Sequence, residues 1–233
     1  ITKQVDVIIL NPLDKAGLGR SVDNVKAAGI PLVEVNAFTN NDAYDVYVGS
    51  DEVEAGKIQG SWIAENLGDS GNVCVLYGVM GHSGQIGRFE GLDEALLSKY
   101  EGWSLLADMT GEWKRSEGLR ITEDWIQSYG DQIDVIASQN DEMAIGAMQA
   151  IEDSGYDIPV LGIDATPDAI QAVIDGRLAL TVFQNSYAQG VESVNVAVGL
   201  VRGETYPKNY VIPYEEVNRE NAQEYLEKVS SWN

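Results

Sequence analysis

Short apolar runs alternate with helix-length amphipathic segments along the whole chain. The runs are Val5–Leu10 ("VDVIIL"), Pro31–Asn36 ("PLVEVN"), Tyr44–Ser50, Asn72–Gly78, Trp103–Met109, Ile133–Ser138, Ile158–Asp164, Leu178–Gln184 and Asn209–Tyr214. They are strand-length and continuously apolar, the pattern of strands covered on both faces, as in parallel sheets. Between most of them lie helical patterns such as "EVEAGKIQGSWIAENL" and "DEMAIGAMQAIEDSG". The alternation predicts an α/β fold, and nine strands are many for one compact sheet, so two smaller sheets are expected.

In such a fold the carboxyl ends of the strands gather at one edge of the sheet, where ligands bind. The runs deliver Asn11, Asn36, Ser50 with Asp51, the glycine-rich "GVMGHSGQIGR", Trp113, Asn140, Asp164 and Gln184 to these ends. The stretch "SQNDEMAIGAM" (Ser138–Met148) has two readings. Asn is a good N-cap and acids suit the first helical turn. The same junction also suits a polar ligand. Capping alone does not explain Gln184 or a Trp two residues past a glycine, and the set as a whole favours a ligand site.

Composition narrows the chemistry. The chain has 233 residues, 44% hydrophobic and 22% charged, with a formal net charge of −22. Its fifteen Lys and Arg form no cluster, which argues against nucleic acid, whose phosphates demand a basic surface. One Cys (Cys74, inside an apolar run) and one His (His82) leave no raw material for a zinc site or Cys/His catalysis. No metal and no cofactor is expected. No apolar run reaches membrane-span length. The opening "ITKQVDVIIL" lacks the features of a secretory leader, so the expectation is a cytoplasmic chain or a mature or trimmed exported one.

Enzyme motifs fail when tested. Gly78, Gly81, Gly84 and Gly87 fall three apart and miss the dinucleotide fingerprint, and "GSDEVEAGKI" misses the Walker spacing. There is no G-x-S-x-G elbow, and His82 beside Ser83 is a loop histidine rather than half of a dyad.

The segments "IILNPLD", "YVGSDEVEAGKIQGSWIAENL", "GRFEGLDEAL", "SQNDEMAIGAMQAIEDSG" and "VLGIDATPDAIQAVIDGRLALTVFQ" resemble, in order, the sugar-binding proteins of bacterial ABC transporters, of the type I periplasmic binding protein family. Within that family they resemble the ribose-binding proteins. The resemblance implies an α/β fold of two Rossmann-like lobes with parallel sheets, residues 1–49 plus 185–211 and residues 50–184 plus 212–233. It implies a non-enzymatic, extracytoplasmic protein that binds a ribose-, galactose- or inositol-like monosaccharide and delivers it to a membrane ABC permease. Sugar contacts are implied at Asn11 and Asn36 from the first lobe, at Arg88, Trp113, Asn140 and Asp164 from the second, and at Gln184 near a crossing. Asn140 is expected to face the ligand while the acids after it cap the helix. Hinge positions are implied at Ser50, Asp51 and Asn185. Planar amides, carboxylates and guanidinium each bond two hydroxyls at once, and an indole stacks on the C–H face of a sugar ring.

Two departures stand out. The family's usual Asp-Arg pair is replaced by Asn36 and Ala37, which removes a charged clamp. The first two β-α units of the family have no counterpart before Ile1, so the strand of Val5–Leu10 is expected at an open edge where a second chain can pair. The competing expectation is a sugar-sensing effector domain, of a LacI-type regulator or a membrane sensor, on the same scaffold.

Overall fold

The computed structural model describes residues 1–232. The chain forms two compact units: Ile1–Asp51, Gly81–Gly84 and Asn185–Pro213 in the first, and Glu52–Met80, Gln85–Gln184 and the residues from Tyr214 onward in the second. The first unit opens with β1 (Ile8–Leu10), α1 (Gly19–Ala27), β2 (Leu32–Val35) and β3 (Val46–Gly49). There follow α2 (Glu52–Leu67), β4 (Ser70–Tyr77), α3 (Ser83–Leu92), β5 (Gly102–Thr110), α4 (Arg115–Tyr129), β6 (Val135–Ser138) and α5 (Asp141–Ser154). Next come β7 (Val160–Asp164), α6 (Pro167–Asp175) and β8 (Leu180–Phe183). The first unit then takes α7 (Ser186–Val201) and β9 (Asn209–Val211), and the second ends with β10 (Glu215–Val217) and α8 (Ala222–Ser230).

The sheet of the first unit runs β1-β2-β3-β9, with every pair parallel. Val33, Val46 and Val48 pack on Val196 and Ala197 of α7 and on Ile212. As expected, β1 lies at an edge, and Ile9 on it is 40% exposed. Helix α7 is apolar on more than its sheet side. Tyr187, Val191, Val194, Val198 and Val201 are exposed and recur at intervals of four and three, so they form a second stripe along the helix.

The second sheet runs β10-β8-β7-β6-β4-β5, parallel except for β10. Side chains alternate between its faces, as the two-residue period of a strand requires. Cys74 and Leu76 face a core with α4, α5, α6 and α8, while Val73, Val75 and Tyr77 face one with α2 and the segment after α3. The expected single strand Asn209–Tyr214 is in fact the end of one sheet and the approach to another. Only Asn209–Val211 pairs in the first sheet, and "EEV" at Glu215–Val217 pairs antiparallel with β8. Two adjacent acids hid this strand from an apolar-run criterion.

Helices α2 and α3 meet backbone to backbone. A Cβ at Gly56 would stand 2.0 Å from the Arg88 carbonyl oxygen, and one at Gly91 1.9 Å from the Val53 carbonyl oxygen. This contact brings the first turn of α2 beside the side chain of Arg88.

Candidate functional site

Strands β4 to β8 are mutually parallel through the sheet, so their carboxyl ends share one edge. Gly78, the loop before Trp113, Gln139–Asn140, Asp164 and Gln184 all sit there. The backbone is strained at this edge. Glu112 and Trp113 (φ 53° and 64°) and Asp164 and Ala165 (φ 128° and 56°) occupy the region that favours glycine. Such strain persists only where the surroundings over-determine it, which is typical of binding sites. Trp113 lies flat against Gly78, where a Cβ would fall 1.9 Å from the ring.

Arg88 is the centre of the cluster. The arginine side chain is 6% exposed, and it pairs with Glu52, 4% exposed, at 2.7 Å from Nε to Oε2. Its Nη1 donates to the Gln139 carbonyl and its Nη2 to the Tyr214 hydroxyl at 3.0 Å. Three of the five guanidinium N–H groups are thus used inside the protein. The guanidinium carbon lies 5.6 Å from the centre of the Trp113 ring, within cation–π range. Burial works against the arginine's charge, but Glu52, Tyr214 and Asp164 outweigh it and hold the group more firmly protonated than usual.

Asp164 offers the accessible carboxylate, 29% exposed, with Oδ1 3.9 Å from Arg88 Nη1. Burial, joined by the charge of Glu52, pushes its pKa up to about 6 against the pull of Arg88 and of a bond from the Asp141 N–H. Asp141 itself is buried. Its Oδ1 accepts the Thr181 hydroxyl at 2.6 Å and its Oδ2 accepts the Thr166 N–H at 2.7 Å, while Ala165 N–H donates to the Thr181 oxygen. These bonds pin the strained loop that carries Asp164. Burial, then the nearby Asp164, holds the Asp141 pKa well above the carboxylate range.

Asn140 differs from expectation in its local role. It is itself the N-cap of α5, accepting from Met143 N–H at 3.1 Å, and its Nδ2 donates to the Trp113 carbonyl at 3.3 Å. Asp141, expected among the capping acids, is turned inward instead. Gln184 is buried, with Nε2 3.0 Å from the Tyr214 hydroxyl.

In the first unit, Asn11 is exposed beyond β1. Asn36 has φ 64°, its N–H donates to the Val48 carbonyl, and its carbonyl accepts the Tyr47 hydroxyl at 3.0 Å. Ser50 Oγ accepts from Gln189 Nε2 at 3.0 Å, Asp51 is exposed, and Asn185 caps α7 through Ala188 N–H. The structure therefore brings Arg88, Trp113, Asn140, Asp164 and Gln184 to one edge of the second unit.

The sequence reading missed four members of that edge: Glu52, Gln139, Asp141 and Tyr214. Gln139 joins the strand ends, accepting from Gly78 N–H at 2.9 Å and donating to the Gln85 carbonyl at 2.8 Å. Glu52 has the local pattern of an ordinary first-turn acid, and Tyr214 closes the apolar run Asn209–Tyr214. Among the described residues, no group of three or more His, Cys, Asp or Glu is placed to hold a metal, and no helix is long and apolar enough to cross a membrane.

The chain is 36% identical over 230 residues to a xylitol-binding protein of Mycolicibacterium smegmatis, covering 98% of this chain and 66% of that protein. It is 31% identical to a ribose import binding protein of Salmonella typhimurium, covering 88% of this chain and 69% of that one. Its structure is similar to an ABC transporter solute-binding protein of Bacillus halodurans with bound myo-inositol. The TM-score is 0.93 at 39% identity, covering 97% of this chain and 79% of that one. The chain thus spans two thirds to four fifths of these relatives' lengths. The family model described as periplasmic binding protein domain matches residues 1–205, and the chain belongs to that family.

Proposed function

We propose that the protein is an extracytoplasmic solute-binding protein that takes one monosaccharide or cyclic polyol for ABC transporter uptake. The observation that carries this is the convergence of Arg88, Asp164, Asn140, Gln184 and Trp113 at one sheet edge, in a chain whose relatives bind ribose, xylitol and myo-inositol. A carboxylate, a guanidinium and amides match hydroxyls that both donate and accept, and the half-buried indole offers an apolar plane. Hydrogen bonds to charged groups contribute roughly 1.5–3 kcal/mol each. Two charged residues therefore give about 3–6 kcal/mol or more before the amides and stacking, toward the ~8 kcal/mol net of a micromolar complex. Asn11 and Asn36 belong to the same reading as further amide contacts, and Ser50, Asp51 and Asn185 as hinge positions.

Two partners follow from this reading. One is the membrane permease that receives the sugar. The other is a second copy of the chain along the β1 edge, supported by the exposed Val5, Ile9 and Leu13 near it. Sedimentation from 1 to 100 μM tests the latter, and a monomer throughout that range would remove it.

The binding reading is tested by titrating tryptophan fluorescence with D-ribose, D-galactose, xylitol and myo-inositol. A saturable change with one of them, abolished in Trp113→Phe, is expected. No response to the panel, with calorimetry also silent, would overturn it.

A further inference from the structure

Apart from the short excursion at Gly81–Gly84, the chain passes between its two units at three places: Asp51 to Glu52, Gln184 to Asn185, and Pro213 to Tyr214. The second unit's residue at each passage is Glu52, Gln184 or Tyr214. All three are buried, and their side chains meet. Tyr214 donates its hydroxyl proton to Glu52 Oε2 at 2.9 Å and accepts from Gln184 Nε2 at 3.0 Å and from Arg88 Nη2 at 3.0 Å. A phenol has one proton to give and two lone pairs, so this hydroxyl is saturated. Glu52 Oε2 in turn accepts from both Tyr214 and Arg88 Nε. Residues separated by 162 and 30 positions thus close one network around the site arginine.

We propose that Glu52 and Tyr214 are positioning residues that fix the Arg88 guanidinium for the ligand and, with Gln184, tie it to the three passages of the chain. A guanidinium is planar, and bonds at Nε, Nη1 and Nη2 fix both its plane and its rotation within that plane. What remains free is the pair of N–H groups outside those three bonds. Glu52 has a second effect: with the counter-charge inside the network, Arg88 does not need Asp164 as its neutralising partner, and the Asp164 carboxylate is left to take ligand hydroxyls. A buried charge pair contributes little net stability but specifies one arrangement, which suits this role. The inference rests on the proposed ligand reading for what Arg88 is held to do.

The test observes the guanidinium directly. In wild-type protein the Arg88 ¹⁵Nε–Hε resonance, assigned by its disappearance in Arg88→Lys, is expected to exchange slowly with water. Tyr214→Phe and Glu52→Gln should each speed that exchange tenfold or more. Tyr225→Phe, which removes a phenol bonded to Glu215 elsewhere in the same unit, should leave it unchanged. For whichever of D-ribose, D-galactose, xylitol or myo-inositol binds wild type, Tyr214→Phe should raise Kd at least tenfold with kon little altered. Tyr214→Phe keeps the ring and its packing, so it serves if Glu52→Gln does not fold. Unchanged Nε–Hε exchange in Tyr214→Phe, or a Kd within twofold of wild type, would overturn the proposal. If none of the four compounds binds wild type, the ligand reading fails, and the exchange rates alone decide whether Glu52 and Tyr214 hold the guanidinium.

Discussion

Asp141 and Thr181 lie 40 positions apart in sequence and meet with a carboxylate-to-hydroxyl distance of 2.6 Å in the buried interior of the second unit. The Thr181 oxygen also accepts from Ala165 N–H, so one hydroxyl connects the start of α5, the end of β7 and strand β8. Thr181→Val keeps the shape and deletes the hydroxyl. It leaves a buried carboxylate and a buried N–H each short of a partner, at a cost of about 1–3 kcal/mol or more. Urea unfolding should show that loss, and ligand affinity should fall with it because the Asp164 loop loses its support.

Asp164 sets a pH dependence of known sign. Its folded pKa of about 6 exceeds the ~3.9 of an unperturbed Asp, so the folded chain keeps a proton that the unfolded chain has lost. This group's contribution to stability is therefore most favourable below about pH 4, falls as pH rises to about 6, and is level above that. Asp164→Asn should stabilise the protein at pH 7 by on the order of 1 kcal/mol and flatten its stability profile between pH 4 and 6. Asp141, shifted in the same direction, will leave part of the slope. The same variant should weaken sugar binding at pH 7, and denaturation curves at pH 4.5, 5.5 and 7 beside one titration check both effects.

Gly91 should not tolerate a methyl group. The Cβ of Gly91→Ala would meet the Val53 carbonyl oxygen, a backbone atom, so α2 and α3 must separate. Overpacking of this kind costs about 1–3 kcal/mol, occasionally more. Gly190→Ala, where nothing lies within 4 Å of the new carbon, is the control and should melt at or above the wild-type temperature.

Cys74 is fully buried, and burial pushes its thiol pKa up to about 12. Little thiolate forms near neutrality, and reagents cannot reach it. Ellman's reagent at pH 8 should modify the folded protein only as fast as it unfolds. Rapid labelling without loss of structure would show that the β4 region opens locally.

The α/β alternation, the family and the edge where the strand ends gather were legible in the sequence. Continuous apolar strands and helical periodicity are local signals, and "GIDATPDAI" carries a strand, a cap and a helix start in nine residues. The supports of that edge were not legible. Nothing near Arg88 in sequence identifies its partners, because Glu52 and Tyr214 lie 36 and 126 positions away. Nothing local distinguishes Glu52 from a first-turn acid, and Tyr214 is placed by a three-residue strand bearing two glutamates. Asn140 has the residue type of an N-cap and is one, but the inward turn of Asp141 leaves the acids after it a different task from the capping expected of them. Sequence periodicity reports which face is buried, not which polar groups must find each other there.

The outward stripe of α7, with Tyr187 and four valines, gives this molecule an inverted response to salt. At low ionic strength a net charge of −22 keeps copies apart, because the repulsion reaches tens of ångströms. At about 1 M salt the screening length falls to roughly 3 Å, and the greasy ridge is no longer shielded by the molecule's own charge. The protein should then bind hydrophobic-interaction resin early in an ammonium sulfate gradient, despite its strongly acidic composition. Its handling is governed less by its average surface than by one helix.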